Sequence, residues 1–148
     1  MSFVSIRTKL LAILNARKTA TVLGEVFDGE QDQQRLDISA YPVAELRRSA
    51  SEADYFTAGG LGEDLNTYVF DIWLYSELEN VGTSVAEKAL DVVLDDLIYQ
   101  FAHDRTLTGT ADGGVRPTVT KGGFVEWRGK LHAVAVLTVR CLKIQDNA

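Results

Sequence analysis

Two histidines, one cysteine and a row of three helical carboxylates are the residues best suited to chemistry in this chain, and their spacing supports little of it. His103 and His132 have no cysteine or carboxylate at metal-ligand spacing. His103 falls at the end of a helical pattern, where an imidazole caps free carbonyls more readily than it binds metal. His132 reads as a satisfied or exposed strand residue. Cys141, the sole cysteine, lies on an apolar strand face and reads as a small buried hydrophobe. Glu87, Asp91 and Asp95 stand at i, i+4 and i+8, which puts three carboxylates on one line of a helix. A metal site there would need partners that the sequence does not supply. Like charges at this spacing cost a few tenths of a kcal/mol per pair, so the line is either a solvated face or one that fronts a partner or a lumen.

The motifs of other chemistries are missing. Gly59 to Gly62, "GGLG", has neither dinucleotide-binding nor P-loop spacing. There is no GxSxG elbow. The acidic tract "DGEQDQQ" from Asp28 lacks the glycine at the sixth position and the glutamate at the twelfth of a calcium loop. The expectation is a protein without catalytic residues, cofactor or metal.

Composition narrows the class further. A length of 148 residues suits one domain spanning 1–148 with a core of its own. No apolar run approaches the roughly 20 residues of a membrane span. "MSFVSIRTKLLAIL" carries basic residues inside its apolar pattern and no small-residue cleavage site, so it does not read as a secretory signal. The lone cysteine fits a reducing, intracellular origin. A net charge of −6 argues against a protein that grips nucleic acid, because such binding neutralises phosphates with Lys and Arg. It is compatible with a surface that DNA slides past.

The elements that would position these residues follow from periodicity. Ile6, Leu10, Ile13 and Leu14 predict an amphipathic helix over about 3–17. Val22 to Phe27 leans toward strand and ends at the Asp28-Gly29 turn. "LDISAYPVAELRRSAS" reads as a strand that Pro42 either makes an edge or begins. A second helix over about 84–103 is announced by Ser84 and Glu87 as a capping box, with Ala86, Leu90, Val93, Leu97 and Phe101 as its apolar stripe. "TLTGTADGGVRP" reads as a flexible loop. The closing segment gives two or three strands with a tight turn at Arg128-Gly129. Within it Leu131, Ala133, Ala135, Leu137, Val139 and Cys141 share one face, and His132, Val134, Val136, Thr138 and Arg140 the other. The pattern predicts an α+β domain with two main helices packed on one face of a mixed or mainly antiparallel sheet.

One strand stands apart. "LNTYVFDIWLYSEL", Leu65 to Leu78, would run about 46 Å if fully extended, against a diameter of roughly 38 Å for a compact domain of this length. Tyr68, Phe70, Ile72 and Leu74 make a core face. The odd face, with Asp71, Trp73 and Tyr75, is mixed. A strand that overruns its own globule could share its ends and odd face with identical copies, with Trp73 and Tyr75 as anchors. Asp71 would then need an arginine, either Arg140 or one from a neighbour; alternatively it faces water on the open side of the sheet.

The order and spacing of these segments resemble the tail terminator (tail completion) proteins of long-tailed bacteriophages. The resemblance rests on "IRTKLLAIL", "VFDGE" (Val26 to Glu30), "YPVAEL" (Tyr41 to Leu46), the long strand, the "SVAEKALDVVLDDLIYQF" helix and "HAVAVLTVRCL". The chain differs in a longer loop at Ser49 to Asp64. The resemblance implies a virion protein that forms a ring, usually a hexamer, at the head-proximal end of the tail tube. Such a ring halts tube polymerisation, docks the head–neck proteins and passes double-stranded DNA without binding it specifically. On that reading Asp71, Trp73, Tyr75 and Arg140 are subunit-interface candidates, and Glu87, Asp91 and Asp95 are lumen-facing candidates. The competing expectations are a head-closure or neck component of similar size, and a small-molecule-binding module.

Overall fold

The computed structural model describes residues 2–29, 40–49, 55–56, 63–79, 81–107, 109, 111, 113–127 and 129–146. Gly59 to Gly62 and most of the acidic tract after Asp28 lie outside them. The chain runs α1 (Ser2–Thr19), β1 (Glu25–Asp28), β2 (Val43–Arg48), β3 (Tyr55–Phe56), β4 (Glu63–Glu77), α2 (Thr83–His103), β5 (Gly114–Trp127) and β6 (Lys130–Asp146). The strands form one sheet in the order β1-β2-β4-β6-β5, with β3 also paired to β4. Among the described strands only β1 and β2 run parallel. The fold is α+β.

The apolar periods decide the core. Ile6, Leu10 and Leu14 of α1, and Ala86, Leu90, Val93, Leu97 and Phe101 of α2, join one cluster with Leu46, Phe70, Ile72, Leu74, Leu137 and Val139. These strand residues alternate along their strands and so share one face of the sheet. Burying each large side chain is worth roughly 1.5–3 kcal/mol. Ion pairs tie α1 to its neighbours: Arg7 to Asp28 at 2.9 Å, Arg17 to Asp96 of α2 at 3.4 Å and Lys18 to Glu25 at 3.9 Å.

The long strand is the spine of the sheet. β4 pairs with β6 along its whole length, from Glu63 opposite Asp146 to Glu77 opposite His132. Its other edge holds β3 at Leu65–Asn66 and β2 at Phe70–Tyr75. The strand expected to overrun the globule is therefore paired within its own subunit. The edges fall instead to β1 and β5, and most side chains of β5 are exposed.

Three local expectations change. The helix α2 opens on Gly82, which has φ 84° and gives no side-chain cap, so Ser84 and Glu87 do not form a capping box. The stretch after α2 is not wholly loop: Leu107 and Ala111 are fully buried, the Gly113 N–H donates to the Leu142 carbonyl at 2.8 Å, and β5 starts at Gly114. The final segment makes two long strands around Gly129, whose φ of 81° suits a tight turn.

The sheet is strongly curled. β1 and β5 are its opposite edges. In a flat sheet four strand spacings would hold them about 19 Å apart, yet the rings of Phe27 and Trp127 lie 6.0 Å from each other. Curling away from the helices closes the second face around Phe27, Val43, Tyr75, Val134 and Val136. No second layer of helices is needed to bury them.

Candidate interaction surface

The concave face is locked by aromatic stacking at one end. The rings of Trp127 and Tyr75 stack at 3.8 Å with an interplanar angle of 5°, and His132 meets both edge-on at 5.4 and 6.0 Å. His132 is 1% exposed and fully satisfied. Its Nδ1–H donates to the Lys130 carbonyl and its Nε2 accepts from the Tyr41 hydroxyl, each at 2.9 Å. One neutral tautomer meets both demands. Burial holds the imidazole below its ordinary pKa of 6.5, and burial with the nearby Glu77 and Glu79 charges raises the Tyr41 phenol. This unit stabilises structure. His132 spends both nitrogens on the fold.

Further along the same face, Trp73 carries Arg47 at 4.7 Å and Lys121 at 5.5 Å from its ring centroid. Arg47 also pairs with Glu45, which is 3% exposed, and donates from Nη2 to the Tyr75 hydroxyl at 3.1 Å. One arginine thus neutralises a buried carboxylate and ties three strand positions together, which offsets the cost of burying Glu45.

The interface candidates do not form one patch. Tyr75 is 1% exposed and belongs to the subunit's own second core, so it offers no surface to a partner. Trp73 is half-buried between its two cations. Asp71 is not paired with Arg140, the arginine of its own chain foreseen for it. It stands opposite Thr138, whose hydroxyl donates to Oδ1 at 2.8 Å. Arg140 lies opposite Val69, two residues along β6 from Thr138, and is exposed. Glu87, Asp91 and Asp95 are all exposed on α2. Cys141 is fully buried, and desolvation pushes its thiol up to about 12. His103 Nδ1 donates to the Tyr99 carbonyl at 2.9 Å, the carbonyl-capping role expected of it.

Surface of another kind emerges on the convex side. The apolar stripes of α1 and α2 join the core cluster of β2, β4 and β6, which takes in only Val115 of β5. β5 and the β6 turn are left over, with Val119, Phe124 and Leu131 49%, 50% and 45% exposed. Between α2 and β5 runs a trench. One end is a cleft of about 610 Å³ lined by Ile98, Phe101, Arg105, Arg116 and Pro117. The other, of about 300 Å³, is lined by Glu87, Asp91, Leu94, Val119 and Gly122. On the outer side of α2, Val85, Val92 and Tyr99 recur every seventh residue and are 55–63% exposed. Sequence reading passed over this stripe because Val92 and Tyr99 sit among charged neighbours. The seven-residue spacing was its only signal.

Among the described residues no group of three or more His, Cys, Asp or Glu could hold a metal ion. Among those residues, too, no helix is long and apolar enough to cross a membrane. In comparisons with known proteins, the chain matches no family model and no curated protein.

Proposed function

We propose that this chain is a structural assembly protein of a long-tailed phage virion, a tail terminator that closes into a ring at the head-proximal end of the tail tube. The observation that carries the reading is the pair of unlike exposed surfaces on one subunit. The outer stripe of α2 and the uncovered β5 ribbon lie on different elements and differ in character. A patch that binds a different patch on the next copy gives a head-to-tail chain, which closes into a ring when the rotation between copies permits. The order of segments that resembles the tail terminators supplies the identity of the ring, a hexamer in that family.

In this role the chain acts by contact. The ring ends tube polymerisation by covering the last tube subunits, and its opposite face receives the head-closure protein. A net charge of −6 keeps DNA phosphates from adhering as the genome passes. The test is to mix the purified chain separately with tail tubes and with DNA-filled heads of the same virion. Capping of tube ends, with tube length then fixed, is the expected result. Closure of heads without any binding to tubes would assign the chain to the neck instead.

A further inference from the structure

The open half of the concave face carries a basic patch whose charge the fold does not neutralise. We propose that this patch docks an acidic, extended segment of another protein of the assembly, held through its carboxylates by Arg116, Arg140 and Lys121.

The strand register builds the patch. Arg116 of β5 stands directly opposite Arg140 of β6, and Lys121 stands opposite Val136. Val136 belongs to the second core and Lys121 lies over Trp73, so residues of this parity face away from both helices. All three cations are exposed. Among the described residues neither arginine has a carboxylate within ion-pair distance. The two carboxylates on this half of the face are engaged elsewhere: Glu45 is taken by Arg47, and Asp71 accepts from the Thr138 hydroxyl. Like charges set directly opposite on neighbouring strands destabilise a sheet. Two guanidinium groups are thus held side by side at a cost, in a chain of net charge −6. A carboxylate placed between them relieves that cost and gains charge-assisted hydrogen bonds.

Dimensions select the occupant. Arg140 and Val136 are four residues apart on β6, so Arg116 and Lys121 lie about 13 Å from one another. One small anion cannot span that distance, whereas side chains on one side of an extended segment recur about every 7 Å. The face is also a groove that tapers toward the Phe27–Trp127 contact, where the rings are 6.0 Å apart. An extended chain suits such a taper better than a helix about 10 Å across. Nucleic acid is a poorer match, because three cations release few counterions and Asp71 in the same floor repels phosphates. The patch lies on neither of the two surfaces given to the ring contact. On the ring reading it is left for the tube or head-closure protein.

Fluorescence anisotropy of a labelled oligoglutamate with the purified full chain at low ionic strength tests the site. The wild-type chain should bind it, and Arg116→Gln with Arg140→Gln should weaken binding by more than about tenfold. Arg105→Gln, which removes an exposed cation just after α2, should leave binding unchanged. Because the double variant loses the facing charges, its urea midpoint should equal or exceed that of the wild type. A wild-type chain that does not bind, or a double variant that binds as tightly, would overturn the proposal. An equal loss in Arg105→Gln would reduce the binding to overall charge and overturn it too. A lowered urea midpoint in the double variant would make the arginines supports of the fold, with the same consequence. Labelled duplex DNA, run in parallel, should not be retained. Its retention by the wild type and release by the double variant, without oligoglutamate binding, would assign the patch to phosphate instead. The measurement reads the single chain, so a failure to form rings would overturn the ring reading and leave this site standing.

Discussion

Burial at single positions decides what the reactive side chains of this protein do. With its thiol at about 12, Cys141 holds a thiolate fraction of only about 10⁻⁴ at pH 8. Iodoacetamide should leave the native chain unmodified for hours and label it at once in urea; rapid native labelling would contradict the buried placement. His132 carries a pH dependence whose sign follows from its environment. Burial lowers its folded-state pKa, so the unfolded chain binds the proton first. Its contribution is complete above pH 6.5 and is lost as pH falls from there toward the folded value. The urea midpoint should therefore drop between pH 7.5 and 5.5, and His132→Gln should flatten that drop while costing about 1–3 kcal/mol at pH 7.5. Equal slopes in both proteins would show that other groups carry the dependence.

At the scale of elements, the curl of the sheet is the feature on which the second core depends, and Trp127 is what fastens it. Trp127→Ala removes the stack on Tyr75 and the contact with Phe27. Because the indole is only partly buried, the expected cost is about 2–3 kcal/mol, somewhat below that of a fully enclosed aromatic. Phe124→Ala, on the uncovered ribbon, should stay within about 0.5 kcal/mol. Chemical denaturation of both variants checks the contrast, and equal costs would deny the curl its role. Gly82→Ala should cost about 1–3 kcal/mol, since φ 84° and ψ 166° suit glycine alone and nothing else crowds the site. Much of this level was legible in the sequence. The 3.6-residue period marked both helices, and alternation marked both faces of β6, because one apolar core enforces each pattern. The capping box misled because Ser84 lies one residue inside a helix that begins on glycine. Pairing partners were not legible either. Nothing local told that β4 would lie between β2 and β6, or that Trp127 would cross to Tyr75. Those are tertiary choices, and they turned a strand suited to sharing into the internal spine.

For the whole molecule, the same geometry that closes the concave face leaves the convex side incomplete. Beyond Val115 most of β5 is uncovered, and its exposed Val119 and Phe124, like the exposed Val92 and Tyr99 on α2, are surfaces awaiting cover. On the proposed reading the ring must not close before a tube is ready, which favours contacts of moderate size over a large permanent interface. The central claim is that unlike patches on one subunit close a ring of fixed size. Native mass spectrometry of the purified chain, alone and after addition of tail tubes, tests it most directly. The account predicts a single closed assembly, six copies by the resemblance, whose size does not grow with concentration and which remains on the tube ends. A monomer under every condition, or an open ladder of ever larger species, would contradict it.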